Sequence, residues 1–209
     1  MGPKKLLIFP FNGNGIEALD CLEDKDYQFI GFIDDSPEKL AAKSKYPVFG
    51  RSILGKEPDA LVLAVPGSPT SFQRRKEFIE SLNLPKERFA TIIHPKASIG
   101  RDVKIGVNSL ILAGVVLTSN SKVGESVCIL PNSVVHHDSE IGDYTLIGSN
   151  VVVAGGTSIG PNCYIGSGSN IINQIFIGNG TLIGMGSNVI KSIAEKSIVV
   201  GNPAKPLKK

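Results

Sequence analysis

Residues 121–159 read SKVGESVCILPNSVVHHDSEIGDYTLIGSNVVVAGGTSI, and an aliphatic side chain returns at every sixth position: Val123, Ile129, Val135, Ile141, Ile147, Val153 and Ile159. Followed outward, this row runs without a slip from Ile99 to Val189, sixteen positions in all. Two residues before each member lies a second row of mostly small or β-branched residues, from Ala97 to Ser187. The residue after each aliphatic is Gly in nine of the sixteen cases, and the third residue after it is Asn, Asp or Gly in twelve. Those three types tolerate a left-handed backbone, as a tight corner demands.

A six-residue period of this kind specifies the hexapeptide form of the parallel β-helix. Three short strands make one triangular coil of eighteen residues, so residues 97–191 hold about five coils and stand roughly 25 Å tall. The aliphatic row fills the interior, and the small row fits near the corners. The prism faces are flat and poor in charge, so we expect them to be covered by self-association, with a closed trimer as the favoured symmetry.

Composition changes near residue 98. The first 98 residues hold 27 of the 41 charged residues and 10 of the 13 aromatics, whereas the rest hold 16 of the 23 glycines. One rule does not build both halves. We divide the 209 residues into an α/β domain, 1–96, and a β-helix domain with its tail, 97–209. In the first, Lys5–Pro10, Phe29–Ile33 and Ala60–Val65 read as short buried strands. Ile16, Leu19 and Leu22 recur at helical spacing, and Phe72–Leu82 reads as a helix. This alternation implies a parallel sheet with a ligand crevice at the carboxyl ends of its strands. The loops F-N-G-N-G (11–15), D-D-S (34–36) and P-G-S (66–68) all fall on that edge.

The net charge of +3 leaves no electrostatic footprint that calls for nucleic acid. Ala60–Val65 is too short to span a bilayer, so no membrane insertion is expected. The start, MGPKKLLIFP, has a charged, then apolar character, but Pro10 and N-G-N-G break it before it resembles a signal peptide. Three scattered cysteines, Cys21, Cys128 and Cys163, lack metal-ligand spacing and point to a reducing, cytoplasmic compartment.

Phe11–Gly15 has the position of a dinucleotide fingerprint without its three glycines, and Asp34 lies where an acidic residue often bonds a ribose hydroxyl. A plain turn and a helix N-cap before Pro37 fit the same residues. His94, beside Pro95 at the junction of the halves, reads as structural. His136 takes a slot that Gly fills in most repeats, and His137 takes the corner slot after it, from which a side chain projects outward. His137 with Asp138 reads as a general base and its orienting carboxylate, or else as an exposed corner pair. Adjacent histidines do not converge on one ion, so no metal is expected. Arg74, Arg75 and Lys76 read as a solvated helix face.

The chain resembles the bacterial sugar O- and N-acetyltransferases, relatives of the sialic-acid O-acetyltransferases and of the N-acetyltransferases of nucleotide-linked 4-amino sugars. The resemblance rests on G-F-I-D-D (31–35), I-H-P-K-A-S-I-G (93–100), V-V-H-H-D-S-E-I-G-D-Y (134–144) and V-V-G-N-P-A-K (199–205). It implies a Rossmann-like nucleotide-sugar domain followed by a left-handed parallel β-helix, assembled as a homotrimer. It implies His137 as the base and Asp138 as its orienting group, with Ser139 replacing the family's usual cysteine. Acetyl-CoA, the acyl donor, would lie in a groove between prisms, touching positions that correspond to Gly155, Ser167 and Met185, with Lys205 near its phosphates. The sugar nucleotide would use Asn12, Gly13, Asn14, Asp34, Asp35 and Gly67. Asn14 and Leu146 stand where relatives carry histidines. The function implied is acetyl transfer to the amine of a nucleotide-linked amino sugar. O-acetylation of a sugar hydroxyl, or a trimeric scaffold that has lost its chemistry, are the alternatives.

Overall fold

The computed structural model describes residues 2–23 and 25–207. Strands β1 (Lys4–Phe9), β2 (Tyr27–Ile33), β3 (Val48–Phe49) and β4 (Leu61–Ala64) form a parallel sheet in the order β3-β2-β1-β4. The order reverses between β1 and β4, which opens a crevice beyond their carboxyl ends. Leu6 to Ile8 and Val62 to Ala64 are completely buried, as strands covered on both faces must be. The first helix, Gly13–Ala18, is capped by Asn12, whose Oδ1 accepts a hydrogen bond from the Gly15 amide at 2.8 Å. The helical pattern expected over Phe72–Leu82 resolves into a 3₁₀ turn, Phe72–Arg74, and a helix, Arg75–Glu80.

The second domain is the expected prism, a left-handed parallel β-helix of two-residue strands. Three parallel sheets of five, six and eight strands form its faces, each strand pairing with the one eighteen residues on, as Lys122 pairs with Glu140 and Val135 with Val153. Only the final pair, Ile198–Val200 with Lys205–Pro206, is antiparallel. From Val123 to Val189 every member of the aliphatic row is at most 3% exposed and joins one core. Ile99, in the first coil, is 40% exposed because no coil lies beneath it. All fifteen corner residues from Asp102 to Gly186 have positive φ, including Ser126, Tyr144 and Gln174, which break the Asn/Asp/Gly preference. Tertiary stacking forces that conformation on side chains that do not favour it. Most hydroxyls of the small second row are satisfied internally, Ser121 Oγ being the exception. Ser133 Oγ donates to Gly148 O at 2.7 Å and accepts from Val151 N at 3.1 Å, tying neighbouring coils together.

The strand Ile92–Ile93 already pairs with Leu110–Ile111, so the prism begins ahead of residue 97. The outward residues of this eight-stranded face, Leu110, Cys128, Leu146 and Tyr164, are apolar and pack in one cluster with Leu6, Ile8, Leu63 and Val65 of the first domain. The equivalent positions on the five-stranded face are Lys104, Lys122, Glu140, Ser158 and Phe176. The apolar column identifies the face that the first domain covers.

Arg75 corrects the sequence reading. Arg74 and Lys76 are exposed, but Arg75 is completely buried between the domains. Its Nε donates to Tyr144 O at 2.9 Å, Nη2 donates to Ser126 O at 2.7 Å, and Nη1 donates to Pro66 O. Burial pulls its pKa down to about 10. Asn108, one coil below Ser126, completes the junction. It accepts from Ala64 N at 2.7 Å and donates to Ala64 O at 3.1 Å, pairing the free edge of β4 as a neighbouring strand would.

Candidate active site

Val135 ends a strand on the six-stranded face, and the chain turns a corner at His136, His137 and Asp138. Asp138 has φ 59°, so its side chain leaves the corner on the same side as the preceding imidazole. His137 Nδ1 lies 2.7 Å from Asp138 Oδ2. Asn120, one coil below, donates through Nδ2 to Asp138 Oδ1 at 3.2 Å. The His137 bond first and the Asn120 bond second hold the Asp138 carboxyl below its ordinary pKa. An ionised carboxylate only accepts, so Nδ1 carries a proton, and in the neutral ring this leaves the Nε2 lone pair free.

Nε2 faces Gly155, one coil above. A Cβ added at Gly155 would come within 2.7 Å of it. His137, Asp138, Ala154, Gly155, Gly156, Asn173 and Gln174 line an open pocket of about 500 Å³. Here the structure brings together three of the expected site residues: His137, Asp138 and Gly155. Asn120 and Asn173 were not singled out from the sequence, although each lies eighteen residues from a member of the site, the coil period that stacks side chains along one edge.

The other positions lie apart from this pocket. Ser167 and Met185 belong to a second edge. Ser167 Oγ accepts from Ser149 N at 3.1 Å, and Met185 is 78% exposed. Lys205 lines a cavity of about 220 Å³ with Lys191, Ile190 and Pro203. Lys191 lies three coil periods beyond His137, so this cavity lies farther along the edge that carries the imidazole.

In the first domain, Phe9, Pro10, Asp34, Asp35, Ser36, Lys39, Arg51, Pro66, Gly67, Ser71 and Phe78 surround a crevice of about 380 Å³. Asp34, Asp35 and Gly67 therefore share a site at the strand-order switch. Asn12, Gly13 and Asn14 lie outside its lining; Asn12 serves as the helix cap and donates to Val65 O at 3.2 Å. Asp34 is nearly buried and accepts from Phe11 N at 3.1 Å, Ser36 N at 3.0 Å and Lys39 Nζ at 2.8 Å. Asp35 pairs with Arg51. Lys39 and Arg51 carried no signal in the sequence, because what makes them part of the site is their pairing with these two carboxylates. The crevice and the His137 pocket have no lining residue in common. His94 is structural, its Nδ1 accepting from Lys96 N at 2.9 Å.

The family model described as "Bacterial transferase hexapeptide (six repeats)" matches residues 120–155 and 138–173, and "Hexapeptide repeat of succinyl-transferase" matches 96–129. Together the two models match hexapeptide repeats over residues 96–173 of the prism. No curated protein matches the chain. Solved structures extend the likeness to the first domain. The acetyltransferase domain of PglB from Neisseria gonorrhoeae FA1090, in complex with acetyl coenzyme A, is 24% identical with a TM-score of 0.84, over 99% of this chain and 100% of that one. PerB from Caulobacter crescentus, in complex with CoA and GDP-perosamine, is 24% identical with a TM-score of 0.83, over 98% and 97%. WeeI from Acinetobacter baumannii AYE is 27% identical with a TM-score of 0.80, over 98% and 99%. The two-domain fold is common to all four chains.

Proposed function

We propose that the protein is an acetyl-CoA-dependent acetyltransferase that acylates the amine of a nucleotide-linked amino sugar. The observation that carries this reading is the His137–Asp138 pair. Its carboxylate is ionised, its Nδ1 is committed and its Nε2 is open to a pocket, on a fold shared with an acetyltransferase domain holding acetyl-CoA and with PerB holding CoA and GDP-perosamine.

His137 Nε2 removes a proton from the acceptor nitrogen as that nitrogen bonds to the thioester carbonyl carbon. The carbon–sulfur bond breaks, and the imidazolium returns the proton to the departing thiolate. Asp138 stabilises the imidazolium between these transfers and keeps the ring from turning. No covalent bond to the enzyme forms. Gly155 leaves room beside Nε2, and the edge running to Lys191 and Lys205 is the groove we assign to the donor, with these two cations towards its phosphates. The crevice around Asp34, Asp35 and Gly67 takes the nucleotide.

The His137 pocket and the crevice are separate within one chain, and the six-stranded face carries a partly buried apolar column, Val116, Val134 and Val152, flanked by Ser98, Asn170 and Asn188. Both observations support assembly as a homotrimer in which neighbouring prisms complete each site. Sedimentation should give about 67 kDa, three times the 22.2 kDa chain; a stable monomer would remove the shared site. Among the described residues no helix is long and apolar enough to cross a membrane. Cys21, Cys128 and Cys163 are buried and unpaired, in keeping with a reducing cytoplasm.

The deciding experiment is calorimetric titration of acetyl-CoA with a chelator present, followed by thiol-release assays on a panel of nucleotide amino sugars that includes GDP-perosamine. One saturable site per chain and CoA release with an amino sugar support the reading. No binding at millimolar acetyl-CoA would leave a scaffold, and release only with hydroxyl acceptors would make it an O-acetyltransferase.

A further inference from the structure

The guanidinium of Arg75 is completely buried, yet among the described residues no carboxylate bonds to it. Its partners are three backbone carbonyls from three separate segments: Pro66 on the crevice loop, and Ser126 and Tyr144 on successive coils of the prism. Both prism partners are left-handed corner residues, in positions where Asn, Asp or Gly is the rule. The loop is gripped from a second side. A Cβ at Gly67 would meet Arg75 Cγ at 2.9 Å and Leu146 Cδ1, on the prism, at 3.0 Å. The sheet edge next to this loop is held by Asn108, but Asn108 bonds to Ala64 and not to the loop. Hydrogen bonds from a charged group to a carbonyl are about twice as strong as neutral ones, and a planar fork fixes direction as well as distance. A loop that lines a ligand crevice is thus hydrogen-bonded to the same guanidinium that holds two coils of the other domain.

We infer that Arg75 is a positioning residue for the acceptor, setting the Pro66–Gly67 wall of the crevice relative to the prism. This rests on the proposed function only in naming the acceptor as what the crevice holds; the mechanical tie stands on the contacts themselves. Lysine at this position keeps the charge but cannot bond three divergent carbonyls at once, and Arg75→Met keeps the bulk without the charge.

The test compares wild type, R75K and R75M as full chains by amide hydrogen exchange and steady-state kinetics. In both variants the amides of residues 65–71 should exchange about tenfold faster or more, the worth of one charged hydrogen bond, with the exchange of residues 128–153 unchanged. With GDP-perosamine as the probe acceptor, KM should rise about tenfold, while kcat stays within about threefold and KM for acetyl-CoA within about twofold. A merely structural part would lower the active fraction, and so kcat, with both KM values unchanged. Wild-type exchange in the loop, loosening spread evenly through the prism, or loss of fold in both variants would each overturn the inference. If the wild type does not turn over the probe, the proposed acceptor fails. The loop exchange still decides: loosening confined to 65–71 upholds the tie, and none removes it.

Discussion

Nδ1 of His137 and Oδ2 of Asp138 lie 2.7 Å apart although the two residues are neighbours in the chain. In an extended strand, adjacent side chains point to opposite faces. The left-handed backbone at Asp138 turns its carboxylate back towards the imidazole. The residue type that suits the corner is also the one that holds the imidazole, so one side chain serves the fold and, in the proposed reaction, the base.

Removing the base should separate chemistry from binding. His137→Ala should reduce kcat by about 10²- to 10⁴-fold, the usual share of a general base. Acetyl-CoA affinity by calorimetry should hardly change. A loss under tenfold would take His137 out of this role.

Asp138→Asn tests the orienting carboxylate. We expect a drop of about 10- to 100-fold, less than the ~10⁴ contributed by a buried one, because Asp138 is 58% exposed. The bonds from His137 and Asn120 depress its pKa, so its favourable interactions are complete above the ordinary carboxylate value of about 4 and disappear only as pH falls below it. The wild-type rate profile between pH 5 and 9 should therefore carry no step from Asp138. A step in that range that disappears in D138N but survives the titration of every histidine would contradict this.

Gly155→Ala should act through His137 alone. The added methyl meets Nε2 at 2.7 Å, and the ring, which is largely exposed, has room to swing aside. Folding should be intact by circular dichroism while kcat falls by about tenfold or more, as expected when a base leaves hydrogen-bond reach of its proton. Unchanged kcat would mean that the pocket beside Gly155 is not where the proton moves.

Asn108→Ala removes three buried hydrogen bonds, two to Ala64 and one to Ser126 Oγ. The expected loss is about 2–4 kcal/mol, seen as a fall of roughly 5–15 °C in Tm. Asn108→Gly, which is free of strain at φ 59°, should fall nearly as far. If the glycine variant melts like wild type, backbone strain and not the docking of β4 explains the alanine result.

At Ser139 the expected outcome is tolerance of cysteine. Ser139 Oγ donates to Ala154 O at 2.9 Å, and Cys163 Sγ makes the equivalent bond to Gly178 O at 3.2 Å, in the same row of the prism. Ser139→Cys should keep rate and melting point, and Ser139→Ala should cost about 1 kcal/mol of stability. Equal melting points for all three would mean that the hydroxyl row contributes nothing to coil stacking.

The prism was legible in the sequence because each of its rules is local and repeated. Interior, corner and small row return every six residues, and stacking makes residues eighteen apart neighbours. His137 and Asp138 could be placed for the same reason; Asn173 and Lys191 follow from the coil period once His137 is chosen, and Asn120 once Asp138 is. Two of the three loops expected at the crevice, 34–36 and 66–68, line it and the 11–15 loop does not; Lys39 and Arg51 were not legible, because they join it by pairing with Asp34 and Asp35.

Arg75 marks the limit. Its neighbours Arg74 and Lys76 are ordinary exposed cations, and nothing in the run separates the middle one. Its burial is decided only when the α/β sheet settles on the face bearing Leu110, Cys128 and Leu146, which brings Pro66, Ser126 and Tyr144 around one guanidinium. The sequence alone determined the periodic half, the α/β character of the first half and the position of the His137–Asp138 corner, because those depend on backbone conformation and side-chain spacing over a few residues. The tertiary structure decided how the halves meet and what holds the crevice wall, because docking matches two separately formed surfaces whose partners around Arg75 lie 51 and 69 residues away.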